Sequence, residues 1–448
     1  MIEIYKAVYG DDKPQLYRNF IGLALGASLF SLFLRVSAGI FSKAGDVGTD
    51  LLGKTYERFE FRKRLNPIIM TDLAGDIVGD LLSGCVEFFA VALTAVAGTI
   101  AVQSNFKEFA VNSVSYYYSL ILLSLAIFVG VVLNFIFSTM AKKSSHVPTK
   151  KVHDMQRMFY LALAIVMIPF LYIAAYATIP DNVHVEKGKV KGATDAFLCS
   201  LIGLIAAVIN CLSTEYFTSI DFKPVKEVAD SSETGPATVV IYGLALGYKA
   251  TVVPSLLLAV AAFLVYTIFG FFGFGAAALG MLAFQSQILV NKVCGPISDV
   301  NCGLGEVSLL PEITISNSRK LSVTGRIWNV TGMTYNGIVS CFASLVVYGG
   351  VYLKGHGELK KITHLEVIAP LIFFGVLIGG MFPFTFTSFI MKSIADIAIQ
   401  LVDMTKMGIG GYLASESNPL YIEFASRCGL NTVKTTIWII LSVFLCKF

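Results

Sequence analysis

Apolar runs long enough to cross a bilayer recur from one end of this chain to the other, each closed by a short polar segment. A hydrocarbon core of about 30 Å needs about 20 helical residues. The spans read from the pattern are 18–42, 68–102, 115–141, 158–179, 195–219, 236–270, 272–298, 318–353, 365–405 and 431–446. Helix is the only element predicted for them, because open strand edges and loops leave backbone groups unpaired in lipid. The expected fold is an all-α integral membrane protein, a multi-span helical bundle of about ten spans. Span 236–270 is long for one crossing at about 1.5 Å per residue, and it contains Pro254. Glycines and polar positions interrupt several spans, as in helices that line a protein interior.

Composition agrees. The 448 residues are 55% hydrophobic and 14% charged, against about 25% charged in soluble domains. The net charge of +4 is spread through loops, so no nucleic-acid partner is expected. The opening MIEIYKAVYGDDKPQLYR is polar and lacks the pattern of a cleavable signal. Eight scattered cysteines without a CxxC pair read as small core residues. The whole chain reads as one membrane domain. It comprises a polar segment 1–17, a helix pair 18–102, three lipid-facing spans in 115–219, an inner group 236–353 and C-terminal spans 365–448. If each span crosses once, segments 55–67, 142–157, 220–235 and 299–317 share a side, and the basic stretches YERFEFRKRLN and KKSSHVPTKKVHDMQR assign it to the cytoplasm.

Charge inside the spans changes the picture. In TDLAGDIVGD, Asp72, Asp76 and Asp80 recur every fourth residue, so an α-helix places them on one face with a drift of about 40° per step. Like charges at that spacing repel, and each unpartnered one costs about 2.5–3.5 kcal/mol near a membrane helix centre. Divalent cations with a taste for hard oxygen ligands, Mg²⁺ or Ca²⁺, would relieve both costs. The preceding span ends in SKAGDVGTDLLGK, where Asp46 and Asp50 are again four apart and Lys43 and Lys54 flank them. Carboxylates mixed with ammonium groups suit metals that bridge to an anion such as a phosphate. In a soluble chain such groups are usually surface ion pairs. Here the pattern repeats on two successive spans, with Gly45, Gly48, Gly75 and Gly79 permitting close backbone approach.

KAGDVGTDLLGK and DLAGDIVGD together resemble the membrane-bound, ion-pumping inorganic pyrophosphatases. The resemblance continues collinearly through 214–254, AALGML at 277–282, GPISD at 295–299 and GGMFPFTFTSFIMKS at 379–393. It implies the central part of a sixteen-span fold, a homodimer, Mg²⁺ as cofactor with K⁺ undecided, and hydrolysis of cytosolic pyrophosphate coupled to movement of H⁺ or Na⁺. By that resemblance Asp46, Asp50, Asp72, Asp76 and Asp299 hold Mg²⁺, Lys43 and Lys54 face the substrate, and Asp80 activates the attacking water. Arg35 and Glu87 fall on the ion pathway. The membrane implied is vacuolar or acidocalcisome-like in a eukaryote and the plasma membrane in a prokaryote.

The chain also departs from the family pattern. Leu73, Ile77 and Val300 stand where asparagines are usual, and Thr94 falls at an acidic gate position. Arg319, Ser322, Arg326 and Met333 align with polar and charged site positions. The resemblance starts near the fifth family span and stops short of the last two. Two further readings therefore stand beside the pump: a non-catalytic relative that assembles with a full-length homologue, and a cation transporter that uses the acidic column without hydrolysis.

Overall fold

The computed structural model describes residues 13–55, 66, 68–111, 113–142, 149–185, 189–355, 370–412 and 419–445. Most of segment 1–17 and much of the basic segments 55–67 and 142–157 lie outside them. Helix α1 is Lys13–Thr55, and α2 is Ile69–Gly75. A π-helical turn at Asp76–Leu82 follows, then α3 (Ser83–Gln103), α4 (Lys107–Val111), α5 (Tyr118–Lys142) and α6 (Thr149–Thr178). A small hairpin, β1 (Val183–Val185) and β2 (Lys189–Lys191), leads to α7 (Ala193–Thr218). After α8 (Lys223–Asp230) come α9 (Pro236–Met281), α10 (Gln285–Val307), α11 (Glu312–Gly355), α12 (Pro370–Tyr412) and α13 (Pro419–Leu445).

Among the described residues, 8 stretches are long and apolar enough to cross a membrane. One of them, Pro236–Val307, holds two of the expected spans, and its first helix breaks where the sequence reading divides them. Gly270 adopts φ 62° and ψ −142°, a conformation open to glycine almost alone. A Cβ on Gly273 would collide with the Val265 carbonyl oxygen. Eight residues of straight helix would hold those positions about 12 Å apart, so the chain doubles back at Gly270. The Tyr266 and Phe274 rings stack across the bend, 5.8 Å between centroids. Segment 431–446 falls on α13, which is not among the 8.

The chain forms two compact units. The first comprises Met1–Ser28, Phe88–Gly295 and Val323–Glu358, with a core that includes Tyr118, Phe272, Phe284 and Phe342. Its helix ends pair in an orderly way. His153 and Arg157 at the start of α6 meet Asp221 and Glu215 at the end of α7, each at 2.9 Å. At the opposite end, Ser115 donates to the Thr178 carbonyl at 2.8 Å and Glu108 meets His184 at 2.9 Å. Segments 149–157 and 215–222 therefore share one end, and 104–111, 113–115, 178–185 and 189–191 the other, as alternate crossing requires.

The second unit comprises Leu29–Glu87, Pro296–Ser322 and Leu359–Phe448. Its core packs Val36, Ile40, Ala44, Leu52 and Ile68 against Ile397, Leu401, Val402 and Cys428. Among the described residues no cysteine forms a disulfide, and four are buried: Cys199, Cys211, Cys302 and Cys428.

Candidate functional site

Every candidate residue lies in the second unit, and glycine contacts fix how α1 meets α2 and the π turn. A Cβ on Gly45 would sit 3.1 Å from the Asp72 Cα, and one on Gly75 would sit 2.7 Å from the Ser42 Cα. One on Gly79 would sit 2.6 Å from the Ala38 carbonyl oxygen. Asn66 closes the end of the pair by donating to the Thr49 carbonyl at 3.2 Å. Small residues at such crossings are how membrane helices gain close backbone contact. The pairs 45 with 72, 42 with 75 and 38 with 79 describe one antiparallel register. It brings Asp46 to within one residue of the level of Asp72, and Lys43 to within two of the level of Asp76. Asp50 and Lys54 fall about one and two turns beyond the acidic column. Both are exposed, and among the described residues neither makes a side-chain hydrogen bond or ion pair.

The column itself is not a plain α-helix. Asp76 and Asp80 lie in the π turn, whose wider i→i+5 bonding advances each residue through a smaller angle. The drift of about 40° expected from α-helical spacing is thereby taken back between Asp76 and Asp80. Asp72 and Asp76 are buried, and the Asp80 side chain is 15% exposed. Asp76 lies within electrostatic reach of Asp72, Asp299, Lys43 and Asp80. Lys43 feels Asp46, Asp80 and Asp76 and sits 3.2 Å from Asp46. Lys43 thus shares a neighbourhood with five carboxylates, Asp46, Asp72, Asp76, Asp80 and Asp299.

Arg35 joins the inner end of the column to the next carboxylate along α3. Its Nη1 donates to Asp80 Oδ1 at 3.2 Å and to Ser83 Oγ at 3.1 Å. Its Nε lies 3.4 Å from Glu87 Oε2. Ser83 is buried and donates its own proton to the Gly79 carbonyl inside the π turn. From α10, Asp299 accepts a hydrogen bond from Ser322 at 2.9 Å. Arg319, one turn earlier on α11, pairs with Glu306 at 2.9 Å and with Glu312 at 3.7 Å.

Hard carboxylate oxygens suit Mg²⁺. Among the described residues no three acidic, histidine or cysteine side chains converge tightly enough to enclose an ion.

The family model for inorganic H⁺ pyrophosphatases matches residues 1–423. The chain belongs to this family. Similar curated relatives include two described as a K(+)-insensitive pyrophosphate-energized proton pump. One, from Chloroflexus aurantiacus, is 28% identical over 442 residues, covering 90% of this chain and 54% of the relative. The other, from Methanosarcina mazei, is 27% identical over 425 residues, covering 92% and 60%. The K(+)-insensitive pyrophosphate-energized proton pump 2 of Moorella thermoacetica is 26% identical over 391 residues, covering 85% and 55%. The chain therefore spans between about half and three fifths of these relatives' lengths.

Within this H⁺ pyrophosphatase family member, two of the sequence departures explain each other. Leu73 and Val300 are both buried and lie in one apolar cluster with Ile69, and Leu73 also packs against Gly303. Ile77 points away, exposed. Thr94 bonds to Ser28 at 2.9 Å, and the two border an open cavity of about 370 Å³ in the first unit, lined mainly by Ala24, Ala97 and Val347. Two contributors escaped the sequence reading, Ser83 as a partner of Arg35 and Glu306 as the tether of Arg319, while Ser322, aligned there with a site position, donates to Asp299. A serine three residues after Asp80 was the visible signal for the first. Its partner 48 positions away was not.

Proposed function

We propose that this chain binds inorganic diphosphate with Mg²⁺ at the cytoplasmic face of a membrane, hydrolyses it, and couples hydrolysis to H⁺ movement. The observation that carries this reading is Arg35, which bridges Asp80, at the inner end of the acidic column, and Glu87, farther along the same helical segment. A cation in contact with both carboxylates offers a route by which a change at one is felt at the other.

Asp46, Asp50, Asp72, Asp76 and Asp299 would hold Mg²⁺. When bound it neutralises the three to four charges of diphosphate, the main requirement of phosphoryl transfer. Lys43 and Lys54 supply the positive charge that draws the anion to the open end of the helix pair. Asp80 orients a water molecule and takes its proton as the water oxygen attacks phosphorus and the bridging P–O bond breaks. The proton then lies one guanidinium away from Glu87. The buried flank formed by Leu73, Ile69 and Val300 keeps bulk water away from one side of the column.

Phosphate release from Mg-diphosphate by the purified chain in lipid tests this reading. Release that disappears in Asp80→Asn is the expected result. Release that persists in the variant, or none from the wild type, overturns it. In the second case the non-catalytic assembly partner becomes the better account.

A further inference from the structure

We propose that Ser83 is a positioning residue that holds the Arg35 guanidinium between Asp80 and Glu87, and thereby sets how tightly hydrolysis is coupled to proton movement. The inference rests on the pump reading above, and all the contacts that carry it lie within the second unit.

Ser83 is the first residue of α3, fully buried directly after the π turn. Its hydroxyl has a single proton, which goes to the Gly79 carbonyl four residues back. The oxygen can then only accept, and what it accepts is Arg35 Nη1 at 3.1 Å. Arg35 is therefore held by a neutral oxygen as well as by two carboxylates, Asp80 at 3.2 Å and Glu87 at 3.4 Å.

The neutral partner matters because of guanidinium geometry. A planar fork next to a carboxylate tends to close on it in a bidentate pair. Arg35 spends Nη1 on Asp80 and on Ser83 together, and Nε on Glu87, so neither carboxylate captures the fork. An extra acidic partner would pull the cation to one side. A hydroxyl fixes its position without adding charge to either branch. The same hydroxyl engages a carbonyl inside the π turn, and such side-chain bonds to the i−4 carbonyl bend a helix locally. Ser83 thus ties the conformation that aligns Asp76 with Asp80 to the side chain that reads Asp80.

Without the hydroxyl, Arg35 is expected to settle on one carboxylate and to stop reporting on the other. The test measures lumenal acidification and phosphate release in the same proteoliposomes. Loss of one hydrogen bond donated by a charged group corresponds to a factor of about 10 to 100. Ser83→Ala should lower protons moved per phosphate by about that factor, with KM for Mg-diphosphate unchanged because Ser83 faces Arg35 rather than substrate. Ser83→Thr keeps the hydroxyl and should restore most of the coupling. Unchanged coupling in Ser83→Ala overturns the inference and leaves the pump reading standing. Equal loss in both variants also overturns it, since packing around the turn would then be the cause. A wild type that releases no phosphate removes the pump reading and this inference together.

Discussion

Leu73 and Val300 show how single residues on α2 and α10 explain one another. Each stands where the family resemblance places an amide, and together they form an apolar contact with Ile69. Leu73→Asn alone buries an amide among hydrocarbon and should cost about 1–3 kcal/mol. Adding Val300→Asn should cost less than the sum of the two single changes, because neighbouring amides can pair. Thermal unfolding of the two single variants and the double variant in detergent measures this. A strictly additive double variant would mean that the side chains do not share an environment. The candidate carboxylates were legible in the sequence because their spacing repeats on consecutive spans. The serine partner of Arg35 was not, because Ser83 carries no charge pattern and lies 48 positions away.

On the scale of elements, glycine separates close helix contact from open surface. Gly79→Ala would push a Cβ toward the Ala38 carbonyl oxygen and the Ser42 Cβ, at 2.6 and 2.7 Å. It should destabilise by about 1–3 kcal/mol, and a shift of about 1 Å in Asp80 lowers phosphate release about a hundredfold. Gly39→Ala, on the same helix, meets nothing within 4 Å and should be neutral or stabilising by about 0.5–1 kcal/mol. Assays of release and melting temperature on the pair distinguish register from general helix stability. The hydrophobic pattern placed the helices well and even located the bend at Gly270, since apolar length alone divides Pro236–Val307. It did not reveal the π turn, because a local change in helix winding leaves apolar spacing nearly unaltered.

At the opposite end of the first unit, Glu108 accepts hydrogen bonds from its own backbone N–H and from His184, which hold its carboxyl below the ordinary 4.5. A depressed folded value contributes stability above that ordinary value, and the contribution is lost as pH falls through the folded one. Glu108→Gln should therefore lower the melting temperature above about pH 4.5 and have little effect in stronger acid. A melting curve against pH would show it, and a constant difference at all pH values would count against the contact.

On the largest scale, alternate crossing and two antiparallel helix ends give the first unit a definite sidedness. Asn182 lies beside the β-hairpin end and Ser232 between α8 and α9, both exposed. A membrane-impermeant thiol reagent should label Ser232→Cys from the side proposed as cytoplasmic and Asn182→Cys from the other, over the background of native cysteines. Labelling of both from one side would break the topology. The family assignment rests on a match across most of the chain, yet the relatives are considerably longer. Activity of this chain is thus a matter for direct measurement.

In the proposed pump, hydrolysis at the acidic column reaches the membrane path through Arg35. The most direct test is acidification of proteoliposomes driven by Mg-diphosphate, comparing wild type with Glu87→Gln. Acidification by the wild type, and phosphate release without acidification by the variant, are the expected results. Acidification by Glu87→Gln equal to that of the wild type, or release by the wild type with no proton movement, would contradict it.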